Sequence, residues 1–110
     1  MAYEVIISDR AKEQANAFVE YLMFEKQSPQ AASILLEAIE KTKESLSLIA
    51  GILRYCEDPE LRAMNYKIIF FRHMRYLWLF QINDGRVEEQ AMYHQLQDYE
   101  NLFKQNFSGF

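Results

Sequence analysis

The spacing of apolar residues at the start of the chain predicts a strand followed by a helix. Residues 3–8 (YEVIIS) are rich in β-branched and apolar side chains, which is the composition of a short strand. Ser8 or Asp9 can then cap a helix, because either side chain can accept a hydrogen bond from an early helical N–H. Over residues 10–25 the apolar residues recur at three- and four-residue steps, the pattern of an amphipathic helix.

A second helix is predicted for residues 29–50. Ser28 followed by Pro29 is a helix-start signal, because proline suits the first helical position and serine can cap it. The apolar stripe continues to Gly51, which is predicted to close the helix in a left-handed conformation. Since the break between the two helices is short, they are predicted to form an antiparallel hairpin.

The second half of the chain shows the alternation that is typical of strands. Residues 51–65 are predicted to form a loop with a partial strand, and residues 66–72 a strand that is apolar on both faces. Alternate aromatic and aliphatic residues over 76–82 predict one face of the next strand. Asp-Gly at 84–85 favours a tight turn, and a last strand is predicted for residues 87–93.

Together these elements predict an α+β fold, with an N-terminal strand and a helical hairpin packed on a small, mainly antiparallel sheet. The other face of the sheet is expected to be partly open to solvent or to a partner. A short helix is predicted for residues 96–103 and a polar-aromatic, frayed tail for residues 106–110. With 110 residues and 50% hydrophobic content, the chain is predicted to be one domain, residues 1–110.

Composition excludes several classes of protein. The one cysteine, Cys56, allows no intramolecular disulfide and no cysteine-based zinc cluster. The N-terminal stretch MAYEVIISDR lacks the basic and apolar segments of a signal peptide, and no window approaches about 18 uninterrupted apolar residues. The chain is therefore expected to be cytoplasmic, with no membrane association.

The formal net charge of −4 is unevenly distributed. Residues 61–83 hold four basic residues and no acidic one, whereas the segments on either side are acidic. This basic island either solvates one face of the sheet or contacts an anionic partner such as nucleic acid. The acidity of the whole chain weighs against a dedicated nucleic-acid-binding domain.

Known cofactor and metal motifs are missing from the sequence. It has no phosphate-binding glycine loop and no H-E-x-x-H, and neither histidine has a carboxylate at metal-ligand spacing. No cofactor and no metal ion are therefore predicted. Cys56 adjoins Glu57 and Asp58, whose charges raise a thiol pKa and disfavour a nucleophilic cysteine.

The remaining candidate chemistry follows the predicted hairpin. Histidine can carry a proton near neutral pH, and lysine or arginine can stabilise charge that develops on a phosphate. Such a set is suited to cleaving RNA by transfer of the 2′-hydroxyl proton. The alternative interpretation is that these are ordinary surface and core-edge residues. The candidates are Lys67, Arg72, Arg75, Tyr93, His94, Asp98 and Tyr99.

Three segments carry a resemblance to a known family. The helix SPQAASILLEAIEKTKESL, the strand YLWLFQI and the ending YHQLQDYENLF together resemble the RelE/ParE superfamily of toxins from bacterial type II toxin–antitoxin systems. The resemblance extends over nearly the whole chain, and its most specific piece is the closing H-x-x-x-D-Y. It implies a small growth inhibitor that a cognate antitoxin neutralises by wrapping a segment over the toxin's hydrophobic and basic surface.

Members of this family act in two ways. RelE-type toxins cleave mRNA in the ribosomal A site, and ParE-type toxins inhibit DNA gyrase. The resemblance assigns a catalytic role to Lys67 and Tyr99, with His94 near a position that other members fill with histidine or arginine. Arg72 completes the candidate set. The second lysine position of the RelE-type pattern is Ile69, however, and its arginine position is Leu77.

The leading hypothesis is therefore a type II toxin of the ParE-like, gyrase-directed kind. Loss of the phosphate-stabilising arginine disfavours the nuclease chemistry, and an acidic chain is poorly suited to docking on the ribosome. An mRNA endoribonuclease that uses Lys67, Arg72, His94 and Tyr99 is the first alternative. The second is an inactive toxin-like interaction protein. A homodimer or a hetero-oligomer with the antitoxin is the expected assembly.

Overall fold

A computed structural model describes residues 2–106 of the chain. The strands are β1 (Glu4–Ile7), β2 (Lys67–Phe70), β3 (Tyr76–Asn83) and β4 (Arg86–His94). The α-helices are α1 (Asp9–Glu20), α2 (Pro29–Ile49), α3 (Pro59–Ala63) and α4 (Tyr99–Lys104). A π-helical turn (Tyr21–Glu25) extends α1, and a 3-10 turn (Ala50–Ile52) extends α2. Of the predicted tail, residues 107–110 lie outside the described residues.

The four strands form one sheet in the order β1-β4-β3-β2. Strand β3 is antiparallel to both of its neighbours, whereas β1 runs parallel to β4. The turn between β3 and β4 contains Asp84 and Gly85 with φ angles of 52° and 76°, as a tight hairpin requires. The predicted meander and the mainly antiparallel sheet are confirmed.

Serine caps fix the starts of both long helices. Ser8 Oγ accepts a hydrogen bond from the Ala11 N–H at 3.1 Å, and Ser28 Oγ accepts one from the Ala31 N–H at 3.2 Å. Pro29 occupies the first turn of α2, where its missing N–H costs no intrahelical bond. The helical hairpin predicted from these signals is confirmed.

Both faces of the sheet are buried, so the expectation of a partly open second face was wrong. The helical hairpin covers one face, and the core between them, termed here the hairpin-side core, is built around Leu35, Leu46, Trp78 and Phe80. A second core fills the opposite face, where Leu77 and Leu79 pack with Leu61 of α3 and Phe103 of α4. The missed element is α3, which lies in the predicted loop and has Asp58 as its N-cap.

Polar contacts tie α4 to α3 at the edge of the second core. Lys104 Nζ lies 2.6 Å from a carboxylate oxygen of Asp58, and both side chains are partly exposed. The Asp58 N–H donates to Glu100 Oε2 at 2.9 Å. Hydrogen bonding from Lys104 is the largest of the causes that lower the pKa of Asp58. The two short helices are thus held together as one cover.

A β-bulge at Gln90 changes which residues of β4 face the helices. Leu79 pairs with Ala91, but the next residue of β3, Phe80, pairs with Glu89, so Gln90 is the extra residue. Before the bulge, Val87 belongs to the hairpin-side core, and alternation puts Glu89 on the same side. Glu89 is 1% exposed, and neither of its carboxylate oxygens has a hydrogen-bond partner among the described residues.

Gly51 does not adopt the predicted left-handed conformation, since it lies within the 3-10 turn, and Gly85 is the one with positive φ of the two glycines that the structure describes. Its small size serves close packing instead, because a Cβ at Gly51 would collide with the hydroxyl oxygen of Tyr3. Tyr3 packs against the hairpin-side core and donates its N–H to the Ser47 carbonyl at 2.6 Å. The contact therefore joins the end of α2 to the start of β1.

Gly51→Ala is expected to lower the free energy of unfolding by about 1–2 kcal/mol, because it overpacks this contact. The same change in a Tyr3→Phe background should cost much less, since the hydroxyl oxygen is the colliding atom. Urea unfolding of the four proteins of this cycle measures the coupling. An equal cost in both backgrounds would show that Tyr3 is not the reason for glycine at this position.

Candidate functional site

Lys67, a predicted catalytic residue, donates hydrogen bonds to backbone carbonyls just after the end of α2. Its Nζ donates to the carbonyl oxygens of Leu53 at 2.7 Å and Gly51 at 3.2 Å. It also lies 4.3 Å from the centre of the Tyr55 ring, a cation–π distance. The residue is 7% exposed, and burial lowers the pKa of its ammonium group. The contacts account for a buried lysine here without any catalytic role.

His94 ends β4 and is half-buried. Its ring lies edge-on to Tyr76, with ring centres 5.2 Å apart, and its Nδ1 accepts the Leu96 N–H at 3.1 Å. A neutral imidazole that accepts at Nδ1 carries its proton on Nε2. His94 therefore presents its Nε2–H as a hydrogen-bond donor while Nδ1 holds the Leu96 N–H.

Tyr99 and Arg72 complete the predicted set. Tyr99 begins α4 and packs against the second core, where burial is the main cause that raises the pKa of its phenol and Glu100 adds to it. Arg72 is exposed just beyond β2. Tyr99 therefore packs on the face of the sheet that holds the second core. Lys67 lies on the opposite face, because Ile69, two residues further along β2, belongs to the hairpin-side core.

The structure does not bring these four side chains to one point. Lys67 pairs with Phe80, and His94 pairs with Tyr76. Because Tyr76 and Phe80 are four residues apart on β3, Lys67 and His94 are separated by about 13 Å along the strand direction. The strands that carry them, β2 and β4, lie on opposite sides of β3. Their joint catalytic role stays a prediction.

The two positions where the nuclease pattern has lysine and arginine belong to the cores. Ile69 lies in the hairpin-side core and Leu77 is fully buried in the second core. A charged side chain at Leu77 would have to displace close-packed apolar neighbours. The departures from the nuclease pattern are therefore built into the packing of the sheet.

Lys67→Met tests whether Lys67 is structural. The substitution is expected to lower the free energy of unfolding by about 2 kcal/mol, because two backbone carbonyls lose a charged donor. Chemical denaturation measures this loss, and Arg72→Met, at an exposed cation beyond the same strand, is the matched control. A Lys67→Met protein as stable as the parent would favour a functional role for this ammonium group.

A groove of about 790 Å³ runs between α2 and the β2 edge of the sheet. Its walls carry apolar side chains that are unusually exposed for their type. Ile52 is 85% exposed, and Phe70 at the end of β2 is 38% exposed. Ile34 and Ile49 of α2 are also exposed and line the groove. Clustered exposed apolar residues in a concave site are typical of a surface that binds a partner.

The rim of this groove is cationic. Lys41, Arg54 and Arg72 line it together with one acidic residue, Glu37. Lys41 pairs with Glu37 at 3.0 Å, and both side chains are exposed. The groove therefore carries net positive charge on a chain whose net charge is −4. The basic island predicted from the sequence contributes Arg72 to it.

The groove also borders an open strand edge. Strand β2 is last in the sheet, and residues 54–56 pair with the first part of its outer side: the Ile68 N–H donates to the Arg54 carbonyl at 3.2 Å and the Cys56 N–H to the Tyr66 carbonyl at 2.9 Å. Among the described residues, no strand pairs with the outer side of β2 beyond this bridge. Alternation along the strand directs the Phe70 N–H to the same outer side. A free strand edge can pair with an extended segment of another chain.

Cys56 is fully buried in the second core. Burial and then Glu100 are the main causes that raise the pKa of its thiol to about 12, with a smaller contribution from Asp58. The sequence pointed to neighbouring acids alone, so the largest cause was missed. Within residues 2–106, no group of three or more His, Cys, Asp or Glu side chains could hold a metal ion, and no helix is long and apolar enough to cross a membrane.

The fold is similar to that of a solved structure described as "Chromosomal ParDE TA system from P. aeruginosa". The two chains share 12% sequence identity with a TM-score of 0.68, and the match covers 84% of this chain and 96% of that chain. The RelE/ParE-like α+β fold predicted from the sequence is thereby confirmed. No protein-family model and no curated protein matches the sequence.

Sequence analysis did not predict the groove. Its residues come from α2, from the turn after α2 and from β2, which are distant in the sequence. One signal was available, because Ile34 lies off the buried stripe of α2 and Ile52 follows the predicted helix end. Apolar residues outside a stripe mark a second contact surface.

Proposed function

We propose that this chain is the toxin component of a type II toxin–antitoxin system, a growth inhibitor that a cognate antitoxin neutralises. The observation that supports this most is the fold shared with a chain of a ParDE system over 84% of this chain. The resemblance of three sequence segments to RelE/ParE toxins points to the same class. A cytoplasmic location and a complex with the antitoxin belong to this proposal.

The groove between α2 and β2 is the proposed seat of the antitoxin. It combines exposed apolar side chains, a cationic rim and an open strand edge, all of which a bound segment can satisfy at once. It also includes Arg72, which belongs to the basic island at residues 61–83.

A ParE-like action on gyrase is the preferred target assignment. Lys67 is held by two backbone carbonyls, and Tyr99 packs on the other face of the sheet from Lys67. Leu77 fills a core position where an RNA-cleaving site needs a phosphate-stabilising charge. These features favour a toxin that acts by binding a protein target over one that cleaves RNA.

Induced expression of the chain in a bacterial host tests the proposal. Growth should stop, plasmid supercoiling should fall, and total mRNA should stay intact. Growth arrest with rapid mRNA cleavage would instead establish the ribosome-dependent endoribonuclease. Unimpaired growth at a verified expression level would favour the inactive toxin-like interaction protein.

His94→Ala and Tyr99→Phe separate the two active alternatives. If the chain acts on gyrase without chemistry, variants that keep the fold should retain toxicity. Loss of toxicity in both, with unfolding curves like that of the parent, would favour the nuclease with Lys67, Arg72, His94 and Tyr99. Circular dichroism on each purified variant provides the check on folding.

A further inference from the structure

The cations of the groove differ in how far neighbouring side chains neutralise them. Lys41 is paired with Glu37, one helical turn away. Arg54 lies 3.7 Å from Glu57, but the two side chains are 50% and 85% exposed, so solvent screens the attraction. Arg72 has no ion-pair partner among the described residues. Two of the three cations are thus available to a ligand.

Arg54 is positioned by its neighbours on the groove wall. Its guanidinium carbon lies 5.3 Å from the centre of the Phe70 ring, a cation–π distance. Its carbonyl accepts the Ile68 N–H, which fixes its backbone against β2. A guanidinium resting on an aromatic face keeps its outer N–H groups for a carboxylate. Arg54 therefore joins the charged rim directly to the apolar wall.

Arg72 lies on the same side of the groove, two residues beyond Phe70. Both arginines therefore belong to the strand side of the groove, whose exposed apolar lining includes Phe70 and Ile52. A neutral or basic amphipathic segment could fill the apolar part but would leave both guanidinium groups unpaired at the interface. An acidic segment matches both requirements.

We infer that Arg54 and Arg72 are specificity-determining residues, which select for the groove an amphipathic peptide segment with acidic residues flanking its apolar ones. This inference rests on the proposed function, because it assigns the chemistry by which the groove distinguishes its antitoxin from other amphipathic segments. The apolar wall supplies affinity, and the two arginines reject segments of the wrong charge.

Three labelled synthetic peptides test the inference on the full chain. They share their apolar positions and carry glutamate, glutamine or lysine at the polar ones. Fluorescence anisotropy is expected to show the glutamate peptide binding about tenfold or more tightly than the lysine peptide, with the difference shrinking at high salt. Arg54→Glu together with Arg72→Glu should reverse the preference, and Arg62→Glu with Arg86→Glu, at exposed arginines outside the groove, is the matched control.

Ile52→Asp should abolish binding of all three peptides, because it places a charge on the apolar wall. Equal affinities for the three peptides, no measurable binding, or an equal effect of the control pair would overturn the inference. Its failure differs from failure of the proposed function, which growth arrest upon induction reports independently. A chain that stops growth but binds the peptides without charge preference would keep the proposed function and contradict this inference. A chain that selects acidic peptides without stopping growth would contradict the proposed function.

Discussion

Glu89→Gln is expected to raise the free energy of unfolding at pH 7 by about 3 kcal/mol. Burial raises the pKa of the Glu89 carboxyl from 4.5 to about 9, and the nearby charge of Lys43 opposes this only in part. In the unfolded chain the carboxyl is hydrated and ionises near its ordinary pKa. Between these two values the folded state binds more protons than the unfolded state, so stability falls as pH rises through this range.

Glutamine removes this dependence, because it stays neutral in both states. Urea unfolding at about pH 5, 7 and 8.5 should show the gap between variant and parent widening by up to about 1.4 kcal/mol for each pH unit. Glu13→Gln, at an exposed position of α1, is the control and should leave the pH profile unchanged. A Glu89→Gln protein that follows the parent's pH slope would contradict the assignment.

Phe103→Ala is expected to cost about 3–5 kcal/mol of stability, since it empties a fully buried site in the second core. The Phe103 ring packs edge-on to Tyr66, with ring centres 5.0 Å apart, and the Arg10 guanidinium of α1 lies 5.8 Å from its centre. The substitution therefore weakens the hold of α4 on both the sheet and the first helix. Thermal and urea unfolding measure the loss.

Leu102→Ala is the matched control for this prediction. Leu102 is the neighbouring residue of the same helix but is 37% exposed, so its truncation removes less buried surface. Hydrogen exchange locates the effect, because protection in α3 and α4 should fall further than protection in α2. If the two alanine variants lose similar stability, the second core does not depend on Phe103.

The parts of the fold that follow from local rules were predictable. The two serine caps, the helical spacing and the Asp-Gly turn each act within a few residues, and the structure confirms all of them. The short helix α3 carries an equally local signal, Asp58 followed by Pro59, yet its five residues are too few for a periodic pattern. Missing it led directly to the wrong expectation of an open sheet face.

The bulge at Gln90 limits what alternation along the sequence can predict for β4. Strict alternation along β4 predicts that Val87, Glu89, Ala91 and Tyr93 share one face. The structure instead puts Val87 in the hairpin-side core and Ala91 with Tyr93 in the second core. A single extra residue reverses the phase, and nothing in the local sequence marks it. The burial of the Glu89 carboxyl without a hydrogen-bond partner among the described residues was unpredictable for the same reason.

The candidate site, like the fold, could be predicted from the sequence only in part. The basic composition of residues 61–83 was visible in the sequence, and Arg72 does line the groove. The engagement of Lys67 by the carbonyls of Gly51 and Leu53 depends on tertiary packing between α2 and β2. Residue type alone could not distinguish this structural lysine from a catalytic one.

The parallel pairing of β1 with β4 imposes an order on assembly during translation. The Ser8 N–H bonds to the Glu89 carbonyl at 3.0 Å, so the first strand made waits for the last strand before it can join the sheet. Contacts within the helical hairpin are local and can form much earlier. A nascent chain interrupted before residue 86 therefore contains all the residues that line the groove but lacks β4, which joins β1 to the rest of the sheet. Incomplete products of this length therefore carry the residues of the groove without the strand to which the start of the chain attaches.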